Sequence, residues 1–225
     1  MAERKRRLVA AELAEAALQL LAQKGFDAVT IDEIAAAAGV SKRTFFRYFA
    51  SKEDVVVQVL ADLGPGMCAE LSARPAGERP SAALRHAVWI SLAACADRSG
   101  PAGRADHDDR ALRVVQLILR TPALLARFLE RQAQWREELA AELADRLRLD
   151  PATAMYPPLA AGMALAAFDA VLKRWSASDG AEDPAALLDR AFAVLAPALD
   201  AVDSVDALGA ADTVDAVGPV GAPRA

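Results

Sequence analysis

Within the first 63 residues, helix stops and starts follow one another so closely that only a cluster of short helices fits them. Leu13, Ala17, Leu20 and Leu21 recur at helical spacing and Gly25 ends the run, which predicts a first helix from about Lys5 to Lys24. Thr30 is placed to cap a short second helix, Ile31 to Ala37, that gives out at Gly39, a residue free to take positive φ in a tight turn. Ser41 caps a third helix through Tyr48. Ser51-Lys52-Glu53-Asp54 then reads as a capping box, with Asp54 where Glu is usual, opening a fourth helix to about Leu63. Almost no slack separates the four.

The rest of the chain uses the same vocabulary. Its hydrophobic residues are mostly Ala and Leu, which lose little side-chain entropy in a helix, while aromatics make up only 5%. An all-α fold of about nine helices follows. Six Gly and Pro residues between Gly64 and Pro80 predict a loop-rich boundary. Ser81 caps a helix to about Ala96, Arg98 to Asp109 reads as a surface loop, and a helix runs from Asp109 to Arg120. Thr121-Pro122 is a helix start, after which Leu125, Phe128, Trp135, Leu139, Leu143 and Leu147 mark one face of a long helix. Asp150-Pro151 and Asp183-Pro184 repeat the cap-then-Pro signature, opening helices from near Pro157 to Ser176 and from Pro184 to Leu199. The Ala/Val/Asp/Gly-rich tail after Asp200 lacks aromatics, buries too little to offset its ordering entropy and is expected to be disordered. The division is therefore 1–63, 64–200 and a tail, 201–225.

A chain of 225 residues buries an ample core without metal or disulfide staples, and its two thiols, Cys68 and Cys95, fit a reducing compartment. Glu12 and Glu15 interrupt the apolar run that follows the basic start, so it does not read as a secretion signal. No run of about 18 uncharged apolar residues qualifies as a membrane span. A soluble cytoplasmic protein, not associated with membranes, is expected. Its histidines are His86 and His107, the latter beside Asp106, Asp108 and Asp109, and no HxxxH or CxxC spacing accompanies them. No catalytic residue, metal or cofactor is expected, and the chain is not read as an enzyme.

The informative constellation is a helix, a short Gly-containing turn and a second short helix. That is the helix-turn-helix arrangement, whose second helix enters the DNA major groove. Val40, Phe45 and Phe49 would face the core, leaving Lys42, Arg43, Thr44, Phe46, Arg47 and Tyr48 to look outward. Arg43 and Arg47 are i, i+4 neighbours, so both guanidinium forks lie along one side, where each can grip a guanine edge or a phosphate. Thr44 adds a hydroxyl and a methyl. Thr30 and Lys52 stand at starts of flanking helices, where phosphates are commonly held. Arg4-Lys5-Arg6-Arg7 would add an electrostatic arm. Residues 1–52 carry net +3 and the remainder −8, which points the nucleic-acid contact to the N-terminal end.

The run from Ala16 to Val56 closely resembles the DNA-binding domain of TetR/AcrR-type transcriptional regulators. Gly25-Phe26, Thr30, Ala38-Gly39-Val40, Thr44, Tyr48-Phe49 and Ser51-Lys52-Glu53 carry the likeness. The resemblance implies phosphate contacts at Thr30 and Lys52, groove contacts at Lys42, Arg43, Thr44 and Arg47, and aromatic positions at Phe46 and Tyr48. With Ser41 these make up the expected DNA-binding set. Phe46 departs from the Tyr common there, and the basic cluster at the start lies about a turn earlier than usual. The resemblance further implies a homodimer on a palindromic operator, paired through helices Leu159 to Trp175 and Pro184 to Leu199. It also implies a small-molecule effector bound in the C-terminal region, whose binding releases a repressor from DNA.

The stretch RTPALLARFLERQAQWREELAAELADRL and the later LKRW look like TetR-type regulators of actinobacterial style, some of which bind an acyl-CoA or another lipophilic compound. Trp89, Phe128, Trp135, Met163 and Phe168 are the candidate pocket wall, although aromatic and Met residues at helical spacing equally suit a plain core. Arg113 and Gln116, a turn apart, are candidate polar anchors. The competing reading is a helical small-molecule or protein-binding module whose helix-turn-helix is only scaffold.

Overall fold

The computed structural model describes residues 2–58, 63–96 and 104–202. The tail beyond Val202, most of the loop expected before Arg104, and the side chains of the Arg4 to Arg7 arm and of His107 lie outside the described residues. All regular structure among the described residues is helical: α1 (Ala2–Lys24), α2 (Ile31–Ala37), α3 (Lys42–Tyr48), α4 (Lys52–Gln58), α5 (Leu63–Ala73), α6 (Pro80–Ala96), α7 (Arg104–Arg120), α8 (Pro122–Leu147), α9 (Tyr156–Ala177) and α10 (Pro184–Leu199).

The N-terminal unit is built from caps and one small core. Thr30 and Ser41 accept from the backbone N–H of Glu33 and Thr44, starting α2 and α3 as expected. Gly39 sits between them with φ of 67°, a conformation that a Cβ would strain, and turns the chain sharply enough for α3 to cross α2. Leu13, Ala17, Leu21, Phe26, Ile34, Phe45, Phe49, Val55 and Val56 are buried together where α1 to α4 meet.

The larger unit is organised on α8. Its buried stripe, Leu124, Phe128, Trp135, Leu139 and Leu143, faces neighbours that include α5, α7 and α9, while α6 and α10 close the far side. Thr121 and Pro122 start this helix as expected, although the Thr121 side chain makes no capping bond. Asp183 accepts from Ala185 and Ala186 N–H to start α10.

Three boundaries differ from the sequence reading. Residues expected as a loop from Gly64 lie instead in helix α5, where the apolar Leu63, Met67 and Leu71 fall on one buried face. Ser81 is not a cap: α6 already starts at Pro80, and Ser81 donates its hydroxyl and backbone N–H to the Asp200 carboxylate at the end of α10. Helix α7 starts at Arg104, within the expected loop. By length and composition the stretch Lys52–Ala73 could cross a membrane, yet Val55, Val56, Leu63, Met67 and Leu71 in it are buried in the protein core.

Of the described glycines, Gly64 is the most closely packed. A Cβ there would lie 2.1 Å from Trp135 Cδ1 and 2.5 Å from Nε1, so the indole edge rests directly on the α5 backbone. Farther along, the Arg146 guanidinium closes the C-terminal end of α5 by donating to the carbonyls of Leu71 (3.3 Å), Arg74 (2.9 Å) and Pro75. Replacing Gly64 with Ala is expected to lower unfolding free energy by about 1–3 kcal/mol through overpacking, measured by urea denaturation at fixed protein concentration. An unchanged midpoint would show that the Trp135 indole shifts without cost.

Candidate nucleic-acid interface

Because α3 spans only seven residues, its two faces are easily sorted. Phe45 is fully buried, with Phe46 and Phe49 ring centroids 5.5 and 5.7 Å away. Lys42, Arg43, Phe46 and Arg47 are exposed on the other side, with Thr44 and Tyr48 half-buried at its margins. Every residue expected on the outward face of α3 is therefore there, and the expected core positions point inward.

The outward side chains differ in how they are held. Arg47 folds over Tyr48, its Nη2 donating to the phenol oxygen at 3.2 Å and its guanidinium 5.1 Å from the ring centroid. Lys42 reaches Asp32 at 2.8 Å, an exposed pair that costs little to break. Phe46 is 49% exposed, a large apolar ring facing solvent beside two cationic side chains. Ser41 and Thr44 share a hydroxyl–hydroxyl contact of 2.9 Å, so Ser41 is occupied with starting α3.

Thr30 and Lys52 are held by the protein's own groups. At Thr30 the capping box is complete: Glu33 N–H donates to its hydroxyl, and Glu33 Oε2 accepts from both its backbone N–H and its hydroxyl at 2.9 Å. Lys24 donates to the other Glu33 oxygen at 2.6 Å. That ammonium, then the Thr30 donors, hold the Glu33 carboxyl down to about 2. Lys52 sends its ammonium into the turn between α1 and α2, donating to the carbonyls of Phe26 at 2.7 Å and Val29 at 3.1 Å, 4.2 Å from the centre of the Phe26 ring. An ammonium has three protons, so two are committed to fixing this turn. Sequence reasoning passed over Glu33 and Lys24, although Thr30-Ile31-Asp32-Glu33 has the spacing of a capping box.

The aromatic candidates of the larger unit converge only in part. Phe128, Trp135 and Phe168 form an edge-to-face ladder with centroids 6.0 and 6.2 Å apart. Phe128 and Phe168 border an apolar cavity of about 10 Å³. Trp89 and Met163 are half-buried against the same core. Arg113 and Gln116 lie elsewhere, beside an open groove of about 240 Å³ that also involves Leu18 and Leu21 of α1. There Gln116 donates to Ser176 O (3.1 Å) and Asp179 Oδ1 (2.9 Å), bracing the end of α9. Burial, with Glu138 and Glu142 nearby, pushes the Cys68 thiol up to about 11, so it stays protonated near neutrality and offers no thiolate nucleophile.

Residues 13–59 match the profile described as bacterial regulatory proteins of the tetR family, and residues 78–200 match that of the MftR C-terminal domain. The chain is 36% identical over 150 residues to the HTH-type transcriptional regulator TcmR of Streptomyces glaucescens, a match covering 66% of this chain and 64% of that relative's length. It is 31% identical over 184 residues to a protein of Mycobacterium tuberculosis named as the mycofactocin biosynthesis transcriptional regulator MftR, covering 78% and 85% of the two chains. In fold it is similar to the transcriptional regulator FadR of Bacillus subtilis, crystallised with stearoyl-CoA, with a TM-score of 0.58 at 20% identity over 83% of this chain and 97% of that one.

Two outcomes test the bracing of this unit. Lys52→Met keeps the aliphatic stem and removes the two carbonyl contacts, so it is expected to cost about 1–3 kcal/mol in chemical denaturation; a lysine reserved for phosphate would leave stability untouched. The second concerns Glu33, whose carboxyl is lower in the folded chain than its ordinary 4.5. Its stabilisation is complete above 4.5 and is lost as pH falls toward about 2. The Thr30 amide proton shift, followed by NMR, is expected to titrate near that lower value, and a midpoint at the ordinary carboxylate range would contradict the Lys24–Glu33–Thr30 arrangement.

Proposed function

The chain belongs to the tetR family of bacterial regulatory proteins, and we propose that it is a ligand-responsive repressor that grips a palindromic operator as a homodimer. The observation that carries this reading is the outward face of α3, where Lys42, Arg43, Phe46 and Arg47 stand exposed on a buried Phe45. In the groove, Arg43 and Arg47 would take guanine edges or phosphates, Thr44 and the Phe46 ring would meet a thymine methyl, and Tyr48 would share the Arg47 contact. Lys42 would exchange Asp32 for a phosphate. Ser41 and Thr30 would present helix starts to the backbone, and Lys52 would hold the turn behind them, with one proton left for a phosphate.

The division of labour we assign is that residues 1–63 read DNA, and residues 64–200 bind the effector and pair the protomers. Leu159 and Val194, 50% and 77% exposed on α9 and α10, are apolar surface that pairing would cover. The effector would be a lipophilic compound such as an acyl-CoA, in keeping with the stearoyl-CoA found with the FadR neighbour. Its wall would be Phe128, Trp135 and Phe168, with Trp89 and Met163 behind them; Arg113 and Gln116 would anchor a polar group only from the groove on α1. Effector binding would favour a spacing of the two heads that no longer fits successive major grooves, and by linkage DNA would weaken effector binding equally. A protein that works on DNA would act in the cytoplasm, and no catalytic role is assigned to it.

The test is a fluorescence-anisotropy titration against DNA flanking its own gene, with scrambled DNA as control, at two salt concentrations. Arg43→Ala and Arg47→Ala are each expected to weaken specific binding by about tenfold or more, and the double variant to lose all preference over scrambled DNA. Full retention of that preference would leave the helix-turn-helix as scaffold.

A further inference from the structure

Among the described residues, two buried side-chain nitrogens have no hydrogen-bond partner, Trp135 Nε1 and Arg146 Nε, and the Arg146 guanidinium donates to carbonyls through its other nitrogens. The Trp135 side chain is 1% exposed, yet its Nε1–H has no acceptor. A buried indole N–H ordinarily finds a partner, because leaving it unmet forfeits its hydration with nothing in return. A Phe at this position would keep most of the packing without that penalty.

The surroundings show what the donor is suited to. On one side the indole edge rests on Gly64, whose missing side chain is all that lets it lie there. On the others Trp135 is held edge-to-face between Phe128 and Phe168. Those two rings, with Leu63 and Leu172, border the apolar cavity of about 10 Å³, room for roughly one water. Neighbouring polar side chains are spent within the protein. Ser91 donates its hydroxyl to Leu63 O at 2.8 Å, and Gln132 donates its amide to Asp169 at 2.7 Å.

We propose that the Trp135 indole N–H is the recognition donor for the effector, which is therefore an apolar molecule bearing a hydrogen-bond acceptor, a carbonyl or carboxyl oxygen, next to its hydrophobic body. This rests on the reading that the effector binds within the core of the larger unit. The ligand body spreads the Phe128–Trp135–Phe168 ladder, and its oxygen accepts from Nε1. A pure hydrocarbon of the same shape fills the space but leaves the donor unmet, so the site discriminates between the two. The cavity is too small for such a body as it stands and Nε1 lies against Gly64 beside it, so an oxygen that reaches Nε1 parts Trp135 from Gly64. Binding therefore displaces α5, the helix that follows α4 of the DNA-reading unit in the chain.

The experiment uses the full chain and two probes of nearly equal shape, acetylnaphthalene and isopropylnaphthalene, only the first of which carries a carbonyl. Indole N–H resonances are followed by heteronuclear NMR of isotope-labelled protein, Trp135 being assigned by the loss of the other two signals in Trp89→Phe and Trp175→Phe. The expected result is a downfield shift of the Trp135 N–H with acetylnaphthalene alone and about tenfold tighter binding of that probe. Trp135→Phe is expected to remove this preference while still binding isopropylnaphthalene. Equal affinities with no downfield shift would overturn the donor role while leaving core binding intact. No response of Trp135 to either probe would overturn both the donor role and the core-binding reading. If Trp135→Phe does not fold, the wild-type spectra and affinities decide alone.

Discussion

Everything in the larger unit depends on one apolar stripe, the inner face of α8. Leu124, Phe128, Trp135, Leu139 and Leu143 are each 1% exposed or less, and burying each is worth about 1.5–3 kcal/mol relative to leaving it in water. A helix of 26 residues presents that stripe to partners on several sides at once. Helices α5, α7 and α9 pack against it, and α4 of the first unit meets its N-terminal end. Helix α8 is thus both the core of one unit and the surface on which the other rests.

The N-terminal unit solves a different problem. Helices of seven residues are not stable in isolation. They persist because each is started by a side-chain cap and because Phe45, Phe49, Ile34 and Val56 share one small core with α1. Lys52 fastens the turn between α1 and α2 from the start of α4, so one ammonium ties three helices into a single body. That rigidity lets α3 present Arg43, Phe46 and Arg47 at a fixed spacing.

Among the described residues, the main contacts between the units fall in two regions. Helix α1 meets α7 along the groove lined by Leu18, Leu21 and Leu117, and α4 meets α8 where Asp54 stands 3.6 Å from Arg127. The Asp54–Arg127 pair is partly exposed and weak on its own, and beside it lies a cleft of about 340 Å³ between α4 and α8. Through these contacts α7 and α8 of the larger unit touch α1 and α4, which share with α3 the small core of the first unit.

Helix starts and stops in the first unit were legible in the sequence because they are local: a Thr or Ser cap, a Gly with positive φ, and an apolar residue every third or fourth position act within one or two turns. The outward face of α3 followed from the same periodicity. Helix α5 was not legible, because Gly64, Pro65 and Gly66 favour a loop by propensity; burial of Leu63, Met67 and Leu71, with the indole of Trp135 lying on Gly64, overrides it. Ser81 likewise carries a cap's chemistry but spends it on Asp200, distant in sequence and adjacent in space. The sequence by itself determined the all-α class, the caps and the outward side of α3, since those depend on neighbours a few residues apart. Only the tertiary structure decided that Lys52 braces a turn, that Arg113 and Gln116 lie away from the aromatic ladder, and that the N–H of Trp135 is unmet, because each depends on which distant residues packing brings together.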